Sequence, residues 1–128
     1  MRLIALLLVV CVCAAAPAVA GPFEDGLAAA EKGDYAKALR LWRPLADQGL
    51  ASAQYNLGIM YFNGRGVPQD YVRAHMWSNL AASRFGASEK EDREKAAKNR
   101  DMVAAKMTPA QIAEAQKLAR EWKPKLER

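Results

Sequence analysis

A pattern of small and apolar residues between Ala53 and Gly86 constrains the fold of this chain more than any other feature. Ala53, Leu57 and Tyr61 follow one another at intervals of four residues, so they share one face of a helix. Gly58 lies beside that face and has no side chain, so a second backbone can approach the helix closely there. The pattern therefore predicts a helix that packs against a close neighbour.

A compact turn and a second helix follow in the sequence. Gly64 and Gly66 can adopt positive φ in that turn, and Asp70 supplies a carboxylate for the free N–H groups of a helix start. The apolar face of the second helix has residues three or four apart, with a further alanine beside it: Ala74, Trp77, Ala81 and Ala82. The whole segment indicates two helices joined by a compact, glycine-containing turn.

Part of this segment repeats upstream. The motif Asp-Tyr-x-x-Ala occurs at residues 34–38 and again at residues 70–74, a spacing of 36 residues, and Ala46 and Ala82 have the same spacing. A fixed period in this range is typical of stacked helical hairpins.

Three blocks carry a resemblance to a known family: Leu-Gly-x-x-Tyr at 57–61, Gly-x-Gly-Val at 64–67 and Ala-x-x-Trp-x-x-x-Ala-Ala at 74–82. Together they resemble the SEL-one-like repeat, a relative of the tetratricopeptide repeat, and the resemblance extends over residues 23–86. Residues 107–124 are similar to the terminal helix that follows such repeats in bacterial secreted members. The resemblance implies an all-α, right-handed solenoid of stacked antiparallel helix pairs with a C-terminal capping hairpin. It also implies protein binding or scaffolding without catalysis.

The N-terminal segment predicts export. Arg2 precedes an apolar run over residues 3–16, and Ala18 and Ala20 are the small residues that a signal peptidase accepts. The run is shorter than the roughly 20 apolar residues that span a bilayer, which argues against a membrane span. We therefore expect a signal peptide at 1–20, two repeats at 21–86, capping helices at 87–128, and a periplasmic or else extracellular location.

Both cysteines, Cys11 and Cys13, lie inside the expected signal peptide. Each follows a valine, which does not fit a lipid-anchor motif, and residues 21–128 contain no cysteine for a disulfide. A cysteine-rich branch of the resembled family has been linked to β-lactam binding and hydrolysis, and this sequence departs from that pattern. A cell-wall-active or β-lactam-hydrolysing enzyme is therefore kept only as the alternative to a binding module.

Further helices are expected on both sides of residues 53–86. Residues 23–32 predict a short helix, and the next helix begins at Asp34, ends at Gly49 and contains Pro44, where we expect a kink. Its apolar side is predicted to be Tyr35, Ala38, Leu41 and Leu45, with Leu41 in the position of Trp77 and Trp42 displaced by one residue.

The C-terminal part predicts two more helices. Residues 88–107 form a charged helix, and Thr108-Pro109-Ala110-Gln111 is a capping box that starts the last helix. The apolar positions are sparse: Ala96, Val103 and Met107 in the first helix, and Ile112, Ala115, Ala119 and Trp122 in the second.

Positive charge is concentrated in the same part of the chain. Residues 21–83 hold six basic and six acidic residues, whereas residues 84–128 hold twelve basic and eight acidic residues. Export argues against nucleic acid as a partner. An anionic polymer or lipid surface of the envelope remains an alternative, although a solvated helix with a modest basic bias is the simpler interpretation.

Residue types for catalysis or metal binding are scarce. His75 is the only histidine, so a zinc site lacks the ligands that it needs, and no cofactor motif is present. His75, Ser78 and Asp70 offer the residue types of a hydrolase triad, but no nucleophile elbow accompanies them. We expect His75 on the surface beside the repeat.

The remaining candidate site is a second apolar stripe on the helix of residues 51–62. Tyr55, Ile59 and Phe62 are spaced by four and three residues, outside the packing face of the repeat. By analogy with tetratricopeptide repeats, this stripe would lie on the concave surface and bind a partner protein or peptide. The alternative, slightly favoured, is that the charged helix after Gly86 covers it.

Overall fold

The computed structural model describes residues 21–126, and the expected signal peptide at 1–20 lies outside the described residues. Within residues 21–126 every regular element is helical, and the six helices are α1 (Pro22–Glu31), α2 (Tyr35–Gln48), α3 (Ala51–Asn63), α4 (Tyr71–Arg84), α5 (Lys90–Ala104) and α6 (Pro109–Glu121). None of these six helices is both long and apolar enough to cross a membrane.

Successive helices pack against each other from α1 to α5, and the closest pairings are α3 with α4 and α4 with α5. α1 and α2 form the first helix pair, α3 and α4 form the second, and α2 joins the two pairs by packing on α3. This arrangement confirms the all-α solenoid that the 36-residue period predicts.

The helix boundaries follow from local chemistry. The carboxylates of Asp34 and Asp70 each accept a hydrogen bond from a backbone N–H three residues later, over 3.1 Å in both cases. Gly49 ends α2 in the left-handed conformation with a φ of 104°. Thr108 and Gln111 form the predicted capping box of α6. These boundaries were predictable because each depends on one residue type at one position.

The core lies between the two helix pairs. Its buried residues include Leu57 and Trp77, which are 0% and 2% exposed, and Trp42, which is 4% exposed. The expectation that Leu41 takes the buried position in α2 is wrong, since Leu41 is only half-buried. Trp42 enters the core because Gly26 leaves room for its indole and the carbonyl of Phe23 accepts its N–H over 3.1 Å.

The packing of the two C-terminal helices differs from the expected capping hairpin. Both pack against α4, whereas α5 and α6 have little contact with each other, so they do not form a hairpin of their own. The apolar face of α6 instead lies on the main core through Ala119 and Trp122. After α6 the chain runs back to α2, where the N–H of Lys125 donates to the carbonyl of Asp47 over 2.7 Å.

At Gly58 the backbones of α3 and α4 approach each other closely. A Cβ built on Gly58 would lie 2.6 Å from Ser78 Oγ and 3.3 Å from both Ala74 O and Ser78 N. Two of these three atoms belong to the α4 backbone, which cannot move away without separating the helices.

We predict that Gly58→Ala destabilises the protein. The overpacking costs about 1 to 3 kcal/mol, and the better helix propensity of alanine offsets about 1 kcal/mol of it. Urea unfolding followed by circular dichroism measures the net loss. Gly86→Ala is the control, because a Cβ there meets only the flexible carboxylate of Glu89. A stability of Gly58→Ala higher than that of the wild type would contradict the close approach.

Candidate partner-binding site

The surface formed by Tyr55, Ile59 and Phe62, which we call the α3 face, is neither fully open nor fully covered. All three side chains are half-buried. Phe62 is partly buried against the main core, and its ring lies 5.7 Å from that of Tyr71 at the start of α4, at an interplanar angle of 39°.

Tyr55 lies at the other end of the α3 face. It packs against a second buried cluster, whose members are Ala51, Ala81, Phe85 and Ala96. Ala96 is the contribution of α5 to this cluster, and α5 otherwise has little contact with α3. Ile59 lies between the two ends and belongs to neither buried cluster. The α3 face therefore has two aromatic ends that pack against the buried clusters and a half-buried isoleucine between them.

Charge at the rim of the α3 face is internally paired. Lys95 Nζ lies 3.1 Å from Glu91 Oε1 on α5. The hydrogen bond that Lys95 donates to the Glu91 carboxylate, and then the charge of that carboxylate, raises the pKa of Lys95, and the Tyr55 phenol adds a smaller contribution. Exposed pairs of this kind contribute little to binding or stability. The α3 face therefore offers mainly apolar and aromatic surface.

The signature residues of the repeat serve the packing of the fold. Those on the packing faces of α3 and α4 are buried, and Ala82 is half-buried; the buried ones are Ala53, Leu57, Gly58, Tyr61, Ala74, Trp77 and Ala81. Gly64 and Gly66 have φ values of 66° and 72° in the turn between α3 and α4, and Asp70 caps α4. These residues form the helix pair that presents the α3 face.

His75 is buried, so the expectation of a surface histidine is wrong. It is 3% exposed, and its Nδ1 has no hydrogen-bond partner among the described residues. The cause is α5, which packs on this side of α4 and brings Arg100 and Asp101 close. Burial is the main cause that lowers the pKa of His75, the Arg100 charge lowers it further, and Asp101 opposes both.

The residues of the considered triad serve the fold instead. Ser78 Oγ accepts a hydrogen bond from Asn99 Nδ2 over 2.8 Å, across the contact between α4 and α5. Asp70 Oδ1 caps α4 by accepting the N–H of Arg73. Among residues 21–126 no group of three or more acidic, histidine or cysteine residues is arranged to hold a metal ion.

One buried polar residue was not anticipated. Gln54 is fully buried, and its Nε2 donates to the carbonyl of Ala46 in α2 over 3.1 Å, while its Oε1 has no partner among the described residues. Its position three residues before Leu57, on the packing side of α3, is the sequence signal for this burial. Gln54 thereby links the two helix pairs.

We predict that His75 makes stability depend on pH. Its pKa is lower in the folded protein than the value of about 6.5 in the unfolded chain. The unfolded chain therefore binds the proton first as the pH falls. Stability is lost as the pH falls below about 6.5, by at most about 1.4 kcal/mol per pH unit.

Urea unfolding of the wild type and of His75→Gln between pH 7.5 and pH 5.5 measures this loss. The wild type should lose more stability than the variant over this interval, because His75 is the only histidine. Parallel pH dependence of the two proteins would mean that His75 is not buried in its neutral form.

Comparison with known proteins gives the family. The family model of the Sel1 repeat matches residues 21–50 and 51–84, which are the α1–α2 and α3–α4 units. The chain is also 43% identical over 42 residues to DAP3-binding cell death enhancer 1 of Rattus norvegicus and of Mus musculus. That match covers 33% of this chain and only 8% of each relative, so the chain spans a small part of their length.

No solved structure matches the chain. The two matched units cover half of the sequence, coincide with the two helix pairs and contain the signature residues of the turn and the core. The chain belongs to the Sel1 repeat family.

Proposed function

We propose that this chain is an exported, non-enzymatic binding module of the cell envelope that holds a protein or peptide partner on the α3 face. Sel1 repeats indicate a protein-interaction module. The observation that carries the choice of surface is the apolar stripe of Tyr55, Ile59 and Phe62, which is half-buried although it lies outside the packing side of α3.

The geometry of the α3 face fits a peptide or a protein helix. Two aromatic rings at its ends are held by neighbouring side chains, so little of their freedom is lost when a partner binds. Half-buried Ile59 between the two rings offers apolar surface to a side chain of the partner. Hot spots of protein interfaces are enriched in aromatic residues such as tyrosine.

Two further observations support this proposal. The two curated relatives carry a name that describes binding to another protein, although they share only a short segment with this chain. The basic residue, the apolar run and the small residues of positions 1–20 support export, with the periplasm as the favoured location.

We predict that Ile59→Ser weakens partner binding at least about tenfold, as expected for loss of an interface anchor. Stability should fall by only about 1 kcal/mol, because Ile59 belongs to neither buried cluster. Crosslinking of the mature protein in its native envelope identifies the partner, and titration of the purified pair gives the affinity.

Met102→Ser is the matched control for Ile59→Ser. Met102 is a large apolar side chain of α5 that is 52% exposed and lies off the α3 face. Tyr55→Ser combined with Phe62→Ser should reduce both stability and binding, because both rings also pack on their neighbours. Normal partner capture by folded Ile59→Ser, or equal loss with Met102→Ser, would exclude the α3 face as the site.

We predict that the exported protein begins at Gly21. Ala18 and Ala20 are the small residues before this position, so the signal peptidase should cut after Ala20. Intact-mass spectrometry of the protein from a cell-envelope fraction measures the N-terminus. Recovery of a chain that retains Cys11 or Cys13 would contradict the proposed cleavage.

A further inference from the structure

The surface between α2 and α4, which we call the α2–α4 surface, lies on a different side of α3 from the α3 face. Both helices pack on α3. Tyr61 of α3 is 4% exposed and lies beneath this surface, where it contacts Arg43 of α2 and Arg73 of α4. Trp77 of α4 contributes a second ring.

Arg43 is held in position by three neighbours. Its Nη1 donates to the hydroxyl of Tyr61 over 3.5 Å, and its Cζ lies 5.8 Å from the centre of the Trp77 ring. Its Nε lies 3.3 Å from Asp47 Oδ1 on the same helix. The side chain is nevertheless 48% exposed, so a ligand in solvent can reach it.

Arg73 has a similar arrangement on α4. Its Cζ lies 5.8 Å from the centre of the Tyr61 ring, and its Nε lies 3.8 Å from Asp70 Oδ2. Its side chain is 59% exposed. Both ion pairs use the Nε atom of the arginine. Among residues 21–126, Nη1 of Arg43 has a hydrogen-bond partner, whereas Nη2 of Arg43 and both Nη atoms of Arg73 have none.

The two guanidinium groups therefore lie beside the same tyrosine, and most of their Nη donors have no hydrogen-bond partner within residues 21–126. Aromatic rings beneath them limit their motion, which reduces the entropy lost when they bind a ligand. Exposed ion pairs to Asp47 and Asp70 are weak and leave the guanidinium groups available. A planar fork of N–H donors matches the oxygens of a carboxylate or a phosphate.

Local charge favours an anion. Lys125 Nζ lies 3.6 Å from Asp47 Oδ2 and adds a third cation, so among residues 21–126 these ion pairs contain three cations and two carboxylates. A cavity of about 250 Å³ adjoins Arg43 and gives room for the rest of a ligand. Its lining residues are Arg43, Pro44, Asp47, Gln48, Lys125 and Leu126.

We propose that the α2–α4 surface binds an oxyanionic group, the carboxylate or phosphate of a ligand, through Arg43 and Arg73. The two guanidinium groups donate to the oxygens, and the buried rings of Tyr61 and Trp77, together with the Tyr61 hydroxyl that accepts from Arg43, hold them in position. This site is separate from the α3 face and does not require the partner proposed there.

Side-chain NMR of the folded protein tests the proposal. The Nε–H signals of Arg43 and Arg73 are followed during titration with inorganic phosphate and, separately, with acetate, against chloride at the same ionic strength. We expect saturable shifts of both signals with a midpoint in the millimolar range. Saturation with phosphate alone would assign a phosphate-bearing ligand, and saturation with acetate alone would assign a carboxylate.

Three variants localise the binding. Arg43→Gln combined with Arg73→Gln should weaken it at least tenfold, and Tyr61→Phe should weaken it less, because only the hydroxyl is lost. Lys98→Gln removes one exposed charge from α5 and should leave anion binding unchanged. Circular dichroism checks that each variant is folded. If the double variant is unfolded, Arg73→Lys replaces it, because lysine keeps the charge but lacks the planar fork of N–H donors.

Saturable shifts that disappear in the arginine variants and persist in Lys98→Gln would support the site. Shifts that are equally large in chloride, that never saturate, or that persist in the folded arginine variants would overturn it.

Discussion

The close approach of α3 and α4 at Gly58 is the constraint on which the rest of the structure depends. Because no Cβ separates the helices there, the backbone of Ser78 and Ala74 lies against α3, and Leu57 and Trp77 are buried on the two helices of this pair. This pair then supports the other elements. α2 packs on α3, and both α5 and α6 pack on α4.

The contact between α4 and α5 differs in character from the core. It is partly polar, since Ser78 bonds to Asn99 and Asn79 bonds to Arg100, and it buries His75 without a partner for Nδ1. Hydrogen bonds between side chains contribute modestly to stability, and an unsatisfied buried nitrogen opposes it. We therefore expect α5, whose buried apolar contribution is limited to Ala96 and Val103, to be held less firmly than α3 and α4, although it forms one boundary of the α3 face.

Local signals in the sequence predicted the elements, and their failures have physical reasons. Asp34, Asp70 and Gly49 marked helix ends because capping depends on single residues. His75 was misplaced because its burial comes from α5, whose charged sequence gives little sign of which side packs. The prediction that α5 and α6 form a hairpin was wrong because the apolar stripe of α6 does not specify which apolar surface it packs on, and it packs on the main core beside α4. The α2–α4 surface depends on contacts between residues 12 or more positions apart, which no local pattern contains.

Native-state hydrogen exchange tests the central role of the α3–α4 pair most directly. If the account is right, backbone amides of residues 57–61 and 74–81 exchange last and only through global unfolding, while those of α5 exchange earlier through a partial opening. Amides of α5 or α1 that exchange as slowly as those of α3 and α4 would contradict it.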